Sequence, residues 1–210
     1  LHSFPTRRSS DLRYRLTLRK TFVGLAAFLA VFVHGASSKK FGHTPYVEAP
    51  AASLTHVGHY RDTGRGVQMR TPAAQAFLKM VSAARAEGVG ILPISGFRPV
   101  AYQKNLFARA VKRYGSEQKA ARWVAPPGYS EHATGWAVDL GDESHRGTDI
   151  EQSFKSTPAS HWLSKNADRF GFELSFPPNN AQGVNHEPWH WRFIGTREAR
   201  ATFHPDPSKK

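Results

Sequence analysis

The sequence predicts an α+β fold in which a small antiparallel sheet is flanked by helices. Apolar residues recur at helical spacing in the earlier part of the chain, whereas short alternating or wholly apolar runs, typical of strands, dominate later. Turn-rich stretches connect these segments, and helices followed by mixed strands and helices are typical of α+β proteins. The 40% apolar share and the five tryptophans favour a globular chain over a disordered one.

The first 37 residues are not expected to belong to the fold. Residues 1–12 (LHSFPTRRSSDL) do not begin with Met and resemble translated adapter sequence, so they are interpreted as a non-native flank. Residues 13–37 combine a basic start, a short apolar run and small residues, which is the order of a secretory signal peptide. The apolar run is shorter than the ~20 residues of a spanning helix, although an uncleaved signal anchor would act as a membrane tether. The sequence therefore predicts an exported protein that is periplasmic, in the cell envelope or extracellular.

The rest of the chain divides into three predicted parts. Residues 38–70 are rich in Gly, His, Thr and Pro and predict a linker with short strands. Residues 71–204 predict one folded domain, and residues 205–210 predict a disordered tail.

The helices and strands of the domain are predicted in chain order. Thr71 as N-cap, followed by proline, begins a helix that Gly88 ends. A second helix runs from near Pro99 to Gly115. Its predicted core face carries Tyr102, Leu106, Ala110 and Val111. The other predicted elements are a short helix around Glu117–Trp123, helical segments from residue 149 to 171 that break near Pro158, and strands at 91–95, 136–140, 172–176 and 189–193.

Composition excludes several classes of protein. The formal net charge of +13 favours polyanionic partners such as an acidic cell envelope. The basic residues are scattered and the sequence carries no nucleic-acid-binding motif, so no nucleic-acid partner is predicted. The chain has no cysteine, which excludes disulfides, thiolate zinc ligands and a cysteine nucleophile. A monomer is expected.

Residues 128–142 (GYSEHATGWAVDLGD) carry a histidine and an aspartate seven residues apart. In a strand over 136–140, Asp139 points away from the large apolar residues. Gly135 lets the chain turn, so that His132 in the preceding loop can return toward Asp139. An imidazole and a carboxylate suit zinc, at roughly 2.0–2.2 Å each. The alternative interpretation is that Asp139 caps a turn and His132 is a surface loop residue.

Residues 183–195 (GVNHEPWHWRFIG) contain H-E-x-x-H at His186, Glu187 and His190. On a helix, both histidines of this motif would bind zinc. Pro188 disfavours helical angles at Glu187, and the aromatic residues alternate with His190 at strand period. His190 is therefore predicted as a metal ligand and His186 as a neighbour only.

The two segments together predict one zinc site with three protein ligands, His132, Asp139 and His190. A catalytic zinc site keeps a fourth position open for water. Glu187, just before the last strand, is predicted as the general base that takes and delivers a proton. Arg98, in the turn SGFRP, is predicted to stabilise a developing oxyanion or to bind a substrate carboxylate, with a structural ion pair as the alternative.

Four segments in order along the chain resemble the zinc D-alanyl-D-alanine carboxypeptidases of the VanY type. They are SGFRP with Gln103 downstream, PGYSEHATGWAVDL, WLSKNADRFGFEL and EPWHWRFIG, and they span roughly Thr71 to Gly195. That family belongs to a group that shares a fold with lysostaphin-type peptidases and the hedgehog signalling domain. The resemblance therefore implies a hedgehog/D-Ala-D-Ala-peptidase-like fold for this chain.

The resemblance also implies roles for individual residues. It implies the same zinc ligands and base as the residue patterns above, with Arg98 as a contact of substrate and transition state. Gln103 and Ser130 look like family positions that line the peptide site. Trp189 is expected either to wall the pocket beside His190 or to pack in the core.

The predicted function is an exported, zinc-dependent D,D-carboxypeptidase that releases terminal D-alanine from peptidoglycan stem peptides ending in D-Ala-D-Ala. One alternative is a cell-wall endopeptidase on the same scaffold, which residues 142–160 and 177–186 would decide. A second alternative is a non-catalytic wall-binding module, although binding alone does not need the carboxylate of Glu187.

Overall fold

The computed structural model describes residues 38–60, 62–206 and 208. Within them the chain forms antiparallel strands and helices, which confirms the predicted α+β class. The strands are β1 (Leu54–Tyr60), β2 (Arg65–Arg70), β3 (Ile91–Ser95), β4 (Ala137–Asp142), β5 (Phe172–Leu174) and β6 (His190–Phe193). The α-helices are α1 (Thr71–Ala86), α2 (Val100–Tyr114), α3 (Glu117–Ala120), α4 (Pro158–Asn166) and α5 (Arg197–Phe203).

A four-stranded antiparallel sheet with strand order β3-β4-β6-β5 holds the centre of the domain. Every residue of β4 is buried, and Val138 and Leu140 lie in the main core, as the strand alternation predicts. Asp139 therefore points to the opposite face. Its register partners are His190 on β6 and Ser95 on β3. Residues far apart in sequence thus meet in the middle of this sheet.

β1 and β2 pair antiparallel and pack against α1 and β3. Their side chains Val57, Val67 and Met69 are buried in the main core. The short strands predicted within residues 38–70 are present, but the segment is not a linker as predicted. Its apolar residues alternate toward the core, so the hairpin is an integral part of the domain.

α1 buries Phe77, Met80 and Ala84 at the predicted helical spacing. Thr71 is its first helical residue, not the predicted N-cap. The Thr71 hydroxyl instead lies 2.8 Å from Thr55 Oγ1 on β1, so it ties the helix start to the hairpin.

α2 follows Pro99 and ends at Gly115, whose φ of 82° is the left-handed cap that favours glycine. Its predicted core face is confirmed at Ala110, which is buried, and at Val111, which packs against a small cluster. It is wrong by one position in the earlier turns, where Gln103 and Phe107 are buried instead of Tyr102 and Leu106. Tyr102 is 41% exposed. Phe107 and Ala110 pack on α3 in a small separate cluster, whereas the polar Gln103 is buried for a contact within the site described below.

Residues 143–171 form short 3₁₀ turns and α4, which Pro158 begins with Thr157 as N-cap. No helix within the described residues is long and apolar enough to cross a membrane. The predicted flank and signal segment (1–12 and 13–37) lie outside the described residues, as do three of the six residues of the predicted tail.

Candidate metal centre

His132 lies on a short 3₁₀ turn, Glu131–Thr134, immediately before β4. Gly135 follows with a φ of 70° and turns the chain into the strand, as predicted. His132 is buried, so the alternative of a surface loop residue is wrong. Its Nδ1 lies 2.7 Å from the carbonyl oxygen of Gly96 and must donate to it, because a carbonyl can only accept. This bond leaves Nε2 free to bind a metal.

Asp139 and His190 face each other across β4 and β6. His190 Nδ1 lies 2.9 Å from Asp139 Oδ1, and His132 Nε2 lies 3.1 Å from Asp139 Oδ2. The two imidazole rings are 4.8 Å apart and nearly perpendicular. The three side chains predicted as ligands therefore meet at one buried point.

The three side chains fit a zinc ion. Their ligand atoms all lie within 4.8 Å of one another. Tetrahedral zinc with bonds of about 2.0–2.2 Å separates its ligand atoms by about 3.5 Å, so only small adjustments are needed. Two imidazole nitrogens and one carboxylate oxygen are also donors that zinc accepts in catalytic sites.

Burial and neighbouring charges shift the pKa values in this centre. Burial, together with the charge of Arg98, lowers the pKa of His132 to about 4, so its ring is neutral at pH 7. Burial alone would raise the pKa of Asp139, but the two histidines hold it well below its usual range. Burial opposes a charged His190, yet its hydrogen bonds to Asp139 and Glu131 raise its pKa to about 10. His190 must therefore release its Nδ1 proton before it can serve as a ligand.

Glu187 lies next to the three candidate ligands but is not part of the group that could hold the metal. Its Oε2 is 3.9 Å from His190 Nδ1, and the side chain lines the same cavity. Burial raises the pKa of Glu187 to about 8. A carboxyl group with a pKa near neutrality can both take and release a proton at pH 7.

The H-E-x-x-H segment is not helical, as the proline within it predicts. It is a turn that leads into β6. Among the described residues, the group able to hold a metal includes His190 and not His186. The backbone carbonyl of His186 accepts a hydrogen bond from Gln152.

Arg98 reaches the centre from the turn between β3 and α2. Its Nη2 lies 3.5 Å from Asp139 Oδ2 and donates to Ser95 Oγ at 3.1 Å, while Nη1 donates to Gln103 Oε1 at 3.0 Å. The ion pair proposed as the structural alternative is therefore present, and the guanidinium also lines the cavity. Gln103 donates its amide to the carbonyl of Ala125 at 2.7 Å. Because both ends of its amide are engaged within the protein, Gln103 holds Arg98 in place.

A cavity of about 550 Å³ opens over the centre. Ser130 and Trp189 both line it and are both buried. Trp189 also belongs to the main core, so its two expected roles, wall and core packing, are combined in one side chain.

Glu131 is a residue of this site that sequence reasoning missed. It is buried next to His132, and its Oε2 lies 3.1 Å from His190 Nε2 and 2.6 Å from the hydroxyl of Ser175. Its Oε1 accepts from Arg192 Nη1 at 2.8 Å. Burial alone would raise the pKa of Glu131, but His190, Arg192 and Ser175 lower it to about 2, so the carboxylate stays charged.

No spacing rule in the sequence links Glu131 to His190, because they are 59 residues apart. The one available signal is the position of Glu131 beside a predicted ligand, and that signal does not tell which way its side chain points.

Comparisons with known proteins show relatives of this chain. The putative carboxypeptidase YodJ of Bacillus subtilis (strain 168) is 37% identical over 134 residues, which make up 63% of this chain and 48% of that protein. The chain thus spans about half the length of the curated relatives it matches.

Two solved structures extend the likeness to the fold. The structure of the LdcB LD-carboxypeptidase matches with a TM-score of 0.63 and 33% identity over 73% of this chain and 72% of that one. A vancomycin resistance D,D-pentapeptidase VanY, from a VanB-type resistance cassette and in complex with Zn(II), matches with a TM-score of 0.57 and 27% identity over 79% of this chain and 94% of that one.

The family model that matches is VanY, D-alanyl-D-alanine carboxypeptidase, and it covers residues 66–196. This range is more than half of the chain and runs from β2 past β6, so it includes every side chain of the centre. The chain therefore belongs to the VanY family of D-alanyl-D-alanine carboxypeptidases.

Proposed function

We propose that this protein is a zinc-dependent D,D-carboxypeptidase that releases the terminal D-alanine from peptidoglycan stem peptides. The observation that carries the proposal is the meeting of His132, Asp139 and His190 at one buried point beside Glu187. Membership of the VanY family and the Zn(II) complex of a VanY D,D-pentapeptidase support one Zn²⁺ as the cofactor.

Each side chain of the centre has a proposed task. Zinc, when bound, supplies Lewis acidity for the attacking water and the scissile carbonyl. Glu187 takes the proton of the attacking water and passes it to the leaving amine. Arg98 offers its guanidinium to the oxygen on which negative charge develops, or to the terminal carboxylate of the substrate. Ser130 and Trp189 border the bound peptide.

Mass spectrometry of a stem pentapeptide ending in D-Ala-D-Ala tests the activity. The protein with zinc should release one D-alanine and leave a tetrapeptide, and a chelator should stop the reaction until zinc is returned. An intact pentapeptide after incubation with the zinc-loaded protein would contradict the proposal.

Two variants separate the proposed base from a proposed ligand. Glu187→Ala should retain zinc and lose about 10²–10⁴-fold in kcat, because it removes only the proton acceptor. His190→Ala should lose both zinc and activity, because two protein ligands remain of three. Zinc content by atomic absorption and kcat on the pentapeptide give the two readouts, and full activity of Glu187→Ala would refute the general-base role.

A second candidate activity is L,D-carboxypeptidase, which the likeness to the LdcB LD-carboxypeptidase favours. Tetrapeptides that carry a single terminal D-alanine separate the two activities. A D,D-enzyme leaves the tetrapeptide intact, whereas an L,D-enzyme converts it to a tripeptide.

A cross-linked stem-peptide dimer in the same assay reveals the endopeptidase alternative, because only an endopeptidase separates its two halves without releasing D-alanine.

We further propose that the protein acts outside the cytoplasm, in the cell envelope or beyond, as a monomer. The signal-like residues 13–37 and the peptidoglycan substrate proposed above support export. Fractionation of cells that express the chain, with size-exclusion chromatography of the released protein, tests location, anchoring and assembly together.

A further inference from the structure

The cavity that contains the metal centre continues along α2. Its lining runs from Gln103 past Leu106 to Arg113 and Tyr114, and to Trp123 beyond α3. From Gln103 to Tyr114 the helix covers about 16 Å, at about 1.5 Å per residue. An extended peptide of about five residues has the same length. The cavity therefore has room for more of a substrate than the two residues that flank the scissile bond.

An aromatic pair stands at the far end of this cavity. The rings of Tyr114 and Trp123 are stacked, with centroids 6.2 Å apart and planes 13° apart. Trp123 is 43% exposed, so part of its ring is open to a ligand that enters the cavity. The same two rings line a second cavity of about 400 Å³, so the pair divides two adjoining depressions.

Three cationic side chains surround the aromatic pair. The guanidinium of Arg113 lies 5.4 Å from the centroid of Tyr114, and Lys119 and Arg122 line the second cavity. Within the part of the chain that the structure describes, none of the three forms an ion pair with a carboxylate. No carboxylate among the described residues lines the second cavity either. The charge that lines the second cavity is thus positive, which favours an anionic ligand there.

Arg122 and Asn185, on opposite walls of the second cavity, are joined by one backbone and one side-chain hydrogen bond. Asn185 N donates to Arg122 O at 3.0 Å, and Arg122 Nη2 donates to Asn185 Oδ1 at 3.2 Å. These bonds join the loop that precedes Glu187 to the turn that follows α3. A surface held from both sides needs little reordering when a ligand binds.

We propose that Arg113, Tyr114, Lys119, Arg122 and Trp123, here called the α2–α3 subsite, bind the amino-terminal, carboxylate-bearing part of the substrate peptide. This proposal rests on the proposed carboxypeptidase function. Because a carboxypeptidase holds the carboxyl end of its substrate at the metal, the rest of the peptide can extend only in the amino-terminal direction. The cations select carboxylates, and the aromatic faces cover the apolar parts of the peptide.

Two pentapeptides test the α2–α3 subsite. Both end in D-Ala-D-Ala, and they differ only in carrying Glu or Gln at the second residue. Calorimetry measures the Kd of each for the full chain, and mass spectrometry measures release of D-alanine from each. The unmodified protein should bind the Glu peptide roughly two- to fivefold more tightly, the effect of one exposed charge pair.

The variant R113Q/K119Q/R122Q should bind the two peptides equally, because it removes the three cations. Lys79→Gln is the matched control, since it removes an exposed cation from α1 and should leave the preference unchanged. Trp123→Ala should weaken binding of both peptides about fivefold, because the loss of an apolar face does not depend on peptide charge.

Equal binding of both peptides by the unmodified protein would overturn the proposal. It would also be overturned if Lys79→Gln lost the preference for the Glu peptide as completely as R113Q/K119Q/R122Q. Equal release of D-alanine from two peptides that bind equally would refute the subsite and leave the carboxypeptidase standing. A preference in binding without any release of D-alanine would uphold the subsite and refute the carboxypeptidase.

Discussion

Glu131 and His132 are neighbours in sequence, yet their side chains contact different residues of the centre. His132 directs Nε2 toward Asp139, while the carboxylate of Glu131 faces the Nε2 atom of His190. When Nε2 of His190 donates to Glu131, its Nδ1 lone pair is left for a metal. The hydrogen bond from His190, together with the charge of Arg192, lowers the pKa of Glu131 and keeps its carboxylate ionised and able to accept this bond.

Glu131→Gln should weaken zinc binding by about 10- to 100-fold, because the amide is a weaker acceptor and no longer fixes the orientation of the His190 ring. Competition with a chromophoric chelator measures the zinc Kd. Thermal unfolding of the metal-free variant, monitored by circular dichroism, shows whether the fold is retained.

Glu173→Gln is the matched control for that variant. Glu173 also accepts a hydrogen bond from Arg192, at 2.6 Å, but its bonds recorded in the structure go to Arg192 and His204, not to His190. The control should therefore keep the zinc Kd of the unmodified protein. Equal zinc affinities of the two variants would contradict a positioning role for Glu131.

At the scale of elements, Asp142 joins the end of β4 to the start of α4. Its Oδ2 accepts from Ala159 N at 2.9 Å, and its Oδ1 accepts from Ser144 N at 2.8 Å. Burial alone would raise the pKa of Asp142, but these bonds and those from His145 lower it. The carboxylate therefore stabilises the fold in its charged form.

Asp142→Asn should lower the free energy of unfolding by about 1–3 kcal/mol at pH 7, because an amide accepts hydrogen bonds at its oxygen only. The pKa of Asp142 is lower in the folded state, so its stabilisation is complete above the unfolded pKa of about 3.9 and is lost as the pH falls through the folded pKa. The difference in free energy of unfolding between Asp142→Asn and the unmodified protein should therefore become smaller below about pH 4.

Urea titrations from pH 7 to pH 3 measure this gap. Asp168→Asn, at an exposed carboxylate, is the control and should change stability by less than about 0.5 kcal/mol at every pH. A gap that stays constant with pH would contradict a charged role for Asp142.

The elements themselves differ in how far their sequence predicts them. The strand 91–95 and the inward residues of β4 were predicted correctly, because alternation and apolar runs report the two faces of a strand directly. The core face of α2 was predicted only in part: Ala110 is buried as predicted, but the buried position 103 is a glutamine that binds Arg98. A pattern of apolar residues cannot reveal a polar side chain that is buried for a hydrogen bond.

The β1–β2 hairpin connects the core to the candidate site. The carbonyl of Gln68 accepts from Phe97 N at 2.6 Å, next to Arg98, and Arg70 N donates to the carbonyl of Gly135 at 2.8 Å. The hairpin thus contacts both turns that carry residues of the centre, in addition to its packing on α1.

A chain shortened to begin at residue 71 should fail to fold. It would lose the burial of Val57, Val67 and Met69, which is worth about 1.5–3 kcal/mol for each side chain. That loss is comparable to the roughly 5–15 kcal/mol that stabilises a whole domain. Differential scanning calorimetry should show no cooperative transition for this chain.

A chain that begins at residue 38 is the control and should unfold cooperatively, because it keeps the hairpin. A cooperative transition of similar midpoint in both chains would mean that the hairpin is dispensable, as the predicted linker implied.

Residue types, strand alternation and the proline within H-E-x-x-H are local properties, and they were enough to predict the α+β class, the chemistry of the metal-binding side chains and the family. Only the folded chain shows that Glu131 meets His190 and that Gln103 holds Arg98. The same is true of the burial of Val57, Val67 and Met69 in the core. Each of these contacts depends on strand register and helix packing between segments far apart along the chain. Local patterns do not encode that register.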